Sequence, residues 1–213
     1  DGEELDFYDE LTRFVEDQSM AAAGQVTARA RAVGFTMAML QRRMASSVYA
    51  VRRSLERMRE RRQMILEDPE KYRKQQIAKG LPDDFDELPE DDQQKLLDEL
   101  EGAVASFDPV QLKLEIQELG ALIDEARALE KREVESKLQQ LKDVLCKWGI
   151  FDDPTMKLLI FTEHKDTLDY LAGDGKDGRP LGKLREWNLA GITQIHGGMK
   201  VGDRDTVGTR IYA

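Results

Sequence analysis

The sequence predicts a mainly α-helical protein with a partial α/β segment towards its C-terminal side. Apolar residues recur at spacings of three and four through most of the first 148 positions, as expected of helices that bury one face. Glycine becomes frequent only after position 150, where short, uninterrupted apolar runs replace the helical period. We therefore expect a long helical hairpin or arm, followed by an incomplete parallel βαβ unit.

Two helical stretches are predicted in the first third of the chain. Over residues 4–16, apolar side chains from Leu5 to Val15 share one face. Over residues 26–66 the apolar series continues and is interrupted only by Arg62. Serines at positions 46 and 47 predict a break in this stretch, with a new helix starting at Val48, because serine is a favoured N-cap.

A second long helix is predicted after an acidic, proline-punctuated linker near 80–92 and a short helix over 90–101. Asp108 followed by Pro109 is typical of a helix start. The apolar period then runs to Trp148, with a four-residue stutter near Glu130 that is typical of a coiled-coil-like seam. We expect the two long helices to pack antiparallel with the linker at their tip. The single cysteine, Cys146, lies in the apolar stripe, which predicts a buried and inert thiol.

The pattern changes at Gly149. Residues 157–162 form an apolar run of the length of a strand that is buried on both faces. A helix is predicted from 163 to 172, a glycine-rich loop and a short helix or turn follow, and a second strand ends at the paired glycines 197 and 198. The predicted domains are thus a helical region, 1–149, and a βαβ region, 150–213.

The charge distribution narrows the classes of function. The chain has 213 residues and a formal net charge of -10, which argues against a simple nucleic-acid-binding module. The charge is segregated, however: eight arginines lie between positions 42 and 62, and ten acidic residues lie between 83 and 101. These can be two solvated helix faces, or the basic helix can face phosphate or the acidic segment itself. No apolar run is long enough to cross a bilayer, and we expect a cytoplasmic protein.

Two short stretches resemble a known family. KLLIFTEHKDTLDYL, residues 157–171, is similar to the opening strand and helix of the second RecA-like lobe of superfamily 2 helicases. ITQIHGGMKVGDRD, residues 192–205, resembles the next strand and turn of that lobe. FYDELTRFV (7–15) and residues 33–60 are similar to the helices that leave the first lobe in Swi/Snf-type helicase-related ATPases, although those lead us to expect proline rather than valine at position 48.

The resemblance implies a set of residues that contact a nucleic-acid backbone. They are Thr162, Glu163, His164, His196, Gly197, Gly198, Met199 and Arg204. The charge pattern separately selects Arg42, Arg43, Arg52 and Arg53 on the basic helix. Paired glycines before a helix let backbone amides approach a phosphate, and the helix N-terminus adds partial positive charge. An alternative is that Thr162 and Glu163 only cap the following helix. The two histidines have no cysteine or carboxylate cluster at ligand spacing, so no metal site is predicted.

The sequence contains neither a phosphate-cradling lysine loop nor an acidic magnesium motif. We therefore expect a non-catalytic piece of an ATP-dependent DNA helicase or translocase, with ATP and magnesium bound elsewhere in the parent protein. The expected partners are DNA, the first motor lobe and, through an open sheet edge, a second copy of the chain.

Two other functions stay open. The helical arm can be a protein-interaction or regulatory module of such a motor. A free-standing α/β enzyme is the least favoured alternative, because no nucleophile and base are paired in the sequence.

Overall fold

The computed structural model describes residues 2–22, 28–69, 108–176 and 178–197, together with positions 92, 95, 96, 199 and 202. The acidic linker and the short helix predicted at 90–101 fall almost wholly outside these residues. The described part is mainly helical. Its helices are α1 (Gly2–Ala22), α2 (Ala28–Met44), α3 (Val48–Glu67), α4 (Pro109–Arg132), α5 (Ser136–Lys147), α6 (Lys165–Ala172) and α7 (Lys183–Glu186).

The predicted break between the first two long helices is confirmed. Ser47 has extended backbone angles and is the N-cap of α3, where its hydroxyl accepts a hydrogen bond from the Ala50 amide at 3.1 Å. This bond satisfies one of the amides that have no partner within the first turn of a helix. The start of α4 is also as predicted, because the Asp108 side chain accepts a hydrogen bond from the Val110 amide at 2.9 Å and Pro109 follows it.

Helices α3 and α4 form the predicted antiparallel hairpin. Ile65, near the end of α3, packs against Leu112, near the start of α4. At the other end of the pair, Arg52 of α3 contacts Glu130 of α4. Helices α1 and α2 close a shared core with this hairpin. Its fully or almost fully buried members include Phe7, Leu11, Phe14, Met37, Leu40, Val51, Leu55, Met58, Leu119, Ile123 and Ala126.

The polar residue that interrupts the apolar series of α3 is buried between the two helices of the hairpin. The side chain of Arg62 is completely inaccessible, and its Nε atom donates to Glu115 of α4 at 2.6 Å. One of its terminal nitrogens also donates to the carbonyl of Met58 at 3.3 Å. A buried arginine is tolerated only when its charge is paired, and Glu115 supplies that charge here.

The single long helix predicted from Pro109 to Trp148 is wrong in its continuity. Helix α4 ends at Arg132, Glu133 takes left-handed backbone angles (φ 52°, ψ 35°), and α5 begins at Ser136. The predicted stutter near Glu130 therefore lies just before the end of α4, where the helix is interrupted, and does not mark a change of supercoil. The burial predicted for Cys146 is also wrong, because this residue is exposed on α5.

Neither apolar run of the C-terminal region forms a strand or a helix in the described residues. The predicted burial on both faces is wrong for residues 157–162, since Leu159 is 63% and Phe161 is 85% exposed. A strand needs a neighbour to satisfy its backbone groups, and no described segment pairs with this one. The parallel βαβ arrangement therefore stays a prediction.

A smaller apolar cluster anchors this region to the helical part. Leu145 of α5, Ala172 of α6 and Leu184 of α7 are buried together, and Ile160 and Ile192 from the two apolar runs pack against them. Each run thus contributes at least one side chain to the protein interior. No helix among the described residues is long and apolar enough to span a membrane.

Candidate nucleic-acid interface

The turn between α2 and α3 contacts the start of α6 through three hydroxyl groups. The Oγ atoms of Ser46 and Ser47 each lie 2.8 Å from the Oγ1 atom of Thr167. Ser47 and Thr167 are both buried. Because hydroxyl groups both donate and accept, Thr167 can form a hydrogen bond with each of the two serines. This cluster fixes α6 against the helical region.

Two arginines hold the first turn of α6 beside the hydroxyl cluster. Arg43 and Arg57 both donate to the Oδ2 atom of Asp166, at 2.7 and 2.9 Å. The side chain of Arg43 is only 6% exposed, so this interaction is largely shielded from solvent. Burial opposes ionisation of the carboxyl group, but the Arg57 and Arg43 guanidiniums outweigh it and lower the pKa of Asp166. We call Arg43, Arg57 and Asp166 the inner ion-pair layer.

A second contact between the same elements lies at the surface. Arg42 forms a salt bridge with Glu163, and the two side chains are 49% and 55% exposed. Exposed pairs of this kind contribute between zero and about 1 kcal/mol, because water and salt screen them. Arg42 and Arg43 are adjacent in sequence, yet the salt bridge of Arg42 is exposed to solvent and that of Arg43 is largely buried.

The other two arginines predicted on the basic helix point to a different neighbour. Arg52 contacts Glu130 of α4 at 2.5 Å and Glu56 at 2.7 Å. Arg53 contacts the same Glu56 at 2.7 Å. The basic stretch is therefore balanced by carboxylates of α3, α4 and the start of α6. These carboxylates lie outside the acidic segment 83–101 that the sequence offered as a partner.

Thr162, Glu163 and His164 lie together just before α6. His164, rather than Thr162 or Glu163, is the N-cap of this helix, and no side-chain cap hydrogen bond is formed. The alternative that Thr162 and Glu163 serve as helix caps is therefore wrong. Burial, assisted by the charge of Arg43, lowers the pKa of His164 and favours the neutral imidazole.

The second predicted group forms a turn beside the other end of the same helix. The amide of Met199 donates to the carbonyl of His196 at 3.2 Å, and Gly197 is exposed within this turn. Just before it, the side chain of Gln194 donates to the carbonyl of Ala172 at the end of α6. Gly198 and Arg204, which the resemblance also selects, lie outside the described residues.

A cleft of about 350 Å³ opens where the α2–α3 turn, α5 and residues 161–163 meet. Arg42, Lys137, Thr162 and Glu163 line it together with the buried hydroxyl cluster. This volume is at the lower end of the range for small-molecule sites. Two cations, the carboxylates of Glu135 and Glu163 and several hydroxyl groups surround the opening, and the cations and hydroxyl groups suit contact with an anionic group such as a phosphate. In the described part of the chain, no set of His, Cys, Asp and Glu side chains is grouped as a metal site.

Two carboxylates near the cleft accept hydrogen bonds from backbone amides at the starts of α3 and α5. Glu135 accepts a hydrogen bond from the Val48 amide at 3.3 Å, so a residue of the α4–α5 connection caps the start of α3. Glu4 of α1 in turn accepts from the Ser136 amide at the start of α5, at 3.1 and 3.2 Å. Burial raises the pKa of Glu135 to about 7, with Glu4 and Glu130 adding to the shift and the Val48 amide and Lys137 opposing it.

The sequence pointed to Arg42, Arg43, Arg52 and Arg53 but not to the residues that position Arg42 and Arg43. Asp166, Thr167 and Arg57 have no recognisable motif, and their roles depend on which elements pack together. The one available signal was the serine pair, which was recognised as a cap and not as a partner of Thr167.

A comparison of the chain with protein-family models, with curated proteins and with solved structures finds no match.

Proposed function

We propose that this chain is a piece of an ATP-dependent DNA helicase or translocase of the superfamily 2, Swi/Snf-related type. In this proposal, residues 1–149 form the helical region between two motor lobes, and residues 150–213 begin the second, RecA-like lobe. The chain contacts the nucleic-acid backbone and does not hydrolyse ATP alone. ATP and magnesium act in the parent protein.

The observation that carries the proposal is the convergence of two predicted groups on one cleft. Thr162 and Glu163 come from the stretch with the most specific resemblance, and Arg42 comes from the basic helix 120 positions earlier. The two groups were selected separately, and both line the same opening. The exposed Arg42–Glu163 salt bridge is weak enough for a phosphate to replace the carboxylate as the partner of Arg42.

The βαβ arrangement of residues 157–198 belongs to the same proposal, and we expect it in the parent protein, where the other strands of the lobe complete the sheet. In a RecA-like lobe these two runs are neighbouring members of a parallel sheet with helices on its faces. The position of α6 between the two runs, and the packing of Ile160 and Ile192 on one cluster with Ala172, are compatible with such a unit.

The test is binding of a fluorescently labelled DNA duplex, followed by anisotropy over a range of salt concentrations. We expect weak binding whose affinity falls steeply with salt, because the net charge of -10 opposes the local cationic contacts. Removing a single phosphate contact lowers the slope of log K against log salt by about 0.9. Arg204→Ala and Arg42→Ala are the variants that should show this change.

Arg132→Ala is the matched control, since this exposed arginine on α4 pairs with Glu3 away from the cleft. Equal effects of the control, of Arg42→Ala and of Arg204→Ala would show that binding is non-specific. Absence of any salt-dependent binding by the wild-type chain would contradict the proposal.

A second candidate function is that the helical region is a regulatory arm that docks a partner. Testing this function requires a deletion that leaves the core intact. Removing the whole of residues 67–148 would take away α4, which contributes several side chains to the hairpin core. The contact between Ile65 and Leu112 shows that the ends of α3 and α4 are close, so a short glycine-serine linker can replace residues 70–107. Retained DNA binding with altered coupling in the parent ATPase would favour the regulatory function.

A further inference from the structure

Residues 158–162 combine exposed apolar side chains with a backbone that forms no hydrogen bond to another described residue. Leu158, Leu159 and Phe161 are 45%, 63% and 85% exposed. From Met156 to Thr162 the chain forms no helix, turn or bend, and residues 158–162 make no backbone hydrogen bond to any other described residue. No described residue covers the exposed side chains of Leu159 and Phe161.

The composition of this segment favours strand pairing. Residues 158–162 read Leu-Leu-Ile-Phe-Thr, with β-branched and aromatic side chains and without charge, glycine or proline. Natural proteins guard open strand edges with charges, proline or bulges. Here the nearest charges are those of Lys157 and Glu163, which flank the run on either side and have opposite signs.

The orientation of the segment leaves one face outward. Ile160 packs into the cluster formed by Leu145, Ala172 and Leu184. Successive side chains of an extended chain point to opposite sides, so Leu159 and Phe161 share the outward side. Their high exposure agrees with this assignment.

An antiparallel pairing of two copies about Ile160 has a specific register. Leu159 of each copy lies opposite Phe161 of the other, which gives two aromatic–aliphatic cross-strand pairs on the outward face. Lys157 of each copy lies opposite Glu163 of the other, which gives an opposite-charge pair at both ends. The two-fold symmetry that most soluble dimers adopt requires this kind of self-complementary arrangement.

We propose that this surface is a dimerisation edge whose occupant is the same segment of a second copy, paired antiparallel with Ile160 at the two-fold axis. Glu163 then lies between Arg42 of its own chain and Lys157 of the other. The inference does not depend on nucleic-acid binding.

The experiment is sedimentation equilibrium of the full 213-residue chain, from low micromolar to submillimolar concentration. We expect a reversible monomer–dimer equilibrium that Phe161→Lys weakens by at least about tenfold, because it replaces the aromatic–aliphatic contact by a cation in both outward pairs. Leu5→Lys is the matched control: Leu5 is 60% exposed on α1, and its substitution should leave the equilibrium unchanged. Circular dichroism verifies that each variant keeps its helices.

A charge exchange tests the register. Lys157→Glu or Glu163→Lys alone places like charges opposite each other at both ends, and each should raise the dimer dissociation constant by about fivefold. The double variant restores opposite charges and should return the constant towards the wild-type value. A wild-type chain that stays monomeric, a dimer that Phe161→Lys leaves intact, or a double variant as weak as the single variants would each overturn the proposal.

Discussion

The helical hairpin and the segment 157–162 are both rich in apolar residues, yet only the hairpin buries them. In α3 and α4 the apolar residues recur every three or four positions, which places them on one face of each helix. A helix forms its backbone hydrogen bonds internally, so it needs a neighbour only to cover that face. In the segment 157–162 the apolar residues are consecutive, and a strand must find partners for its backbone as well as for its side chains. Leu119 is completely buried and Leu159 is 63% exposed for this reason. An apolar run thus predicts burial only where its backbone partners are within reach.

The largest expected change in the free energy of unfolding comes from the buried core of the hairpin. Leu119→Ala should lower the free energy of unfolding by an amount in the upper part of about 2–5 kcal/mol, because it leaves a cavity between α3 and α4. Leu159→Ala, the same chemical change in the exposed segment, should stay within about 0.5 kcal/mol. Urea denaturation at a low micromolar concentration of protein measures both. Similar values for the two variants would show that the segment 157–162 is as well packed as the hairpin.

Features of the fold that depend on a few neighbouring residues could be predicted from the sequence, whereas features that depend on tertiary packing could not. The helix start at Val48 was predictable because a serine cap acts within three residues, and the hairpin was predictable because its period is local. The break after Arg132 was not, since Glu133 is an unusual residue for left-handed angles and neither glycine nor proline marks it. In the candidate site, Arg42 and Thr162 could be selected from sequence. Their convergence could not, because it depends on how α6 packs against the α2–α3 turn.

The next prediction concerns the buried carboxylate of Glu135, which links α3 to α5. Burial raises its pKa from 4.5 to about 7, so the folded chain binds more protons than the unfolded chain between these values. The free energy of unfolding attributable to this group should therefore fall as pH rises through this window, by about 3 kcal/mol in total. Glu135→Gln keeps an acceptor for the Val48 amide but cannot ionise. The stability of the variant relative to wild type should accordingly rise by that amount between pH 5 and pH 8.

Denaturation curves of the two proteins at each pH give this difference directly. Asp143→Asn, which removes an exposed carboxylate from α5, is the control for the loss of one negative charge. A difference between Glu135→Gln and wild type that stays constant with pH would mean that Glu135 titrates like an exposed residue.

The smallest expected effects compare the inner ion-pair layer with the salt bridge at the surface. Asp166→Asn should cost about 2 kcal/mol, because it leaves the buried Arg43 guanidinium without its carboxylate. Glu163→Gln should cost less than about 1 kcal/mol, and added salt should reduce that cost further. Thermal unfolding at low and high salt concentration measures both variants. If Glu163→Gln were the more harmful of the two, the surface salt bridge rather than the inner layer would fix α6 to the helical region.

Hydrogen–deuterium exchange along the chain, measured by mass spectrometry on dilute protein, tests most directly the claim that the hairpin is a self-sufficient core beside an unpaired apolar segment. The account predicts that amides of α3 and α4 exchange only through global unfolding, whereas amides 158–162 exchange at nearly the rate of an unstructured peptide. Protection of residues 158–162 to the level of α3 and α4 in the dilute monomer would contradict it.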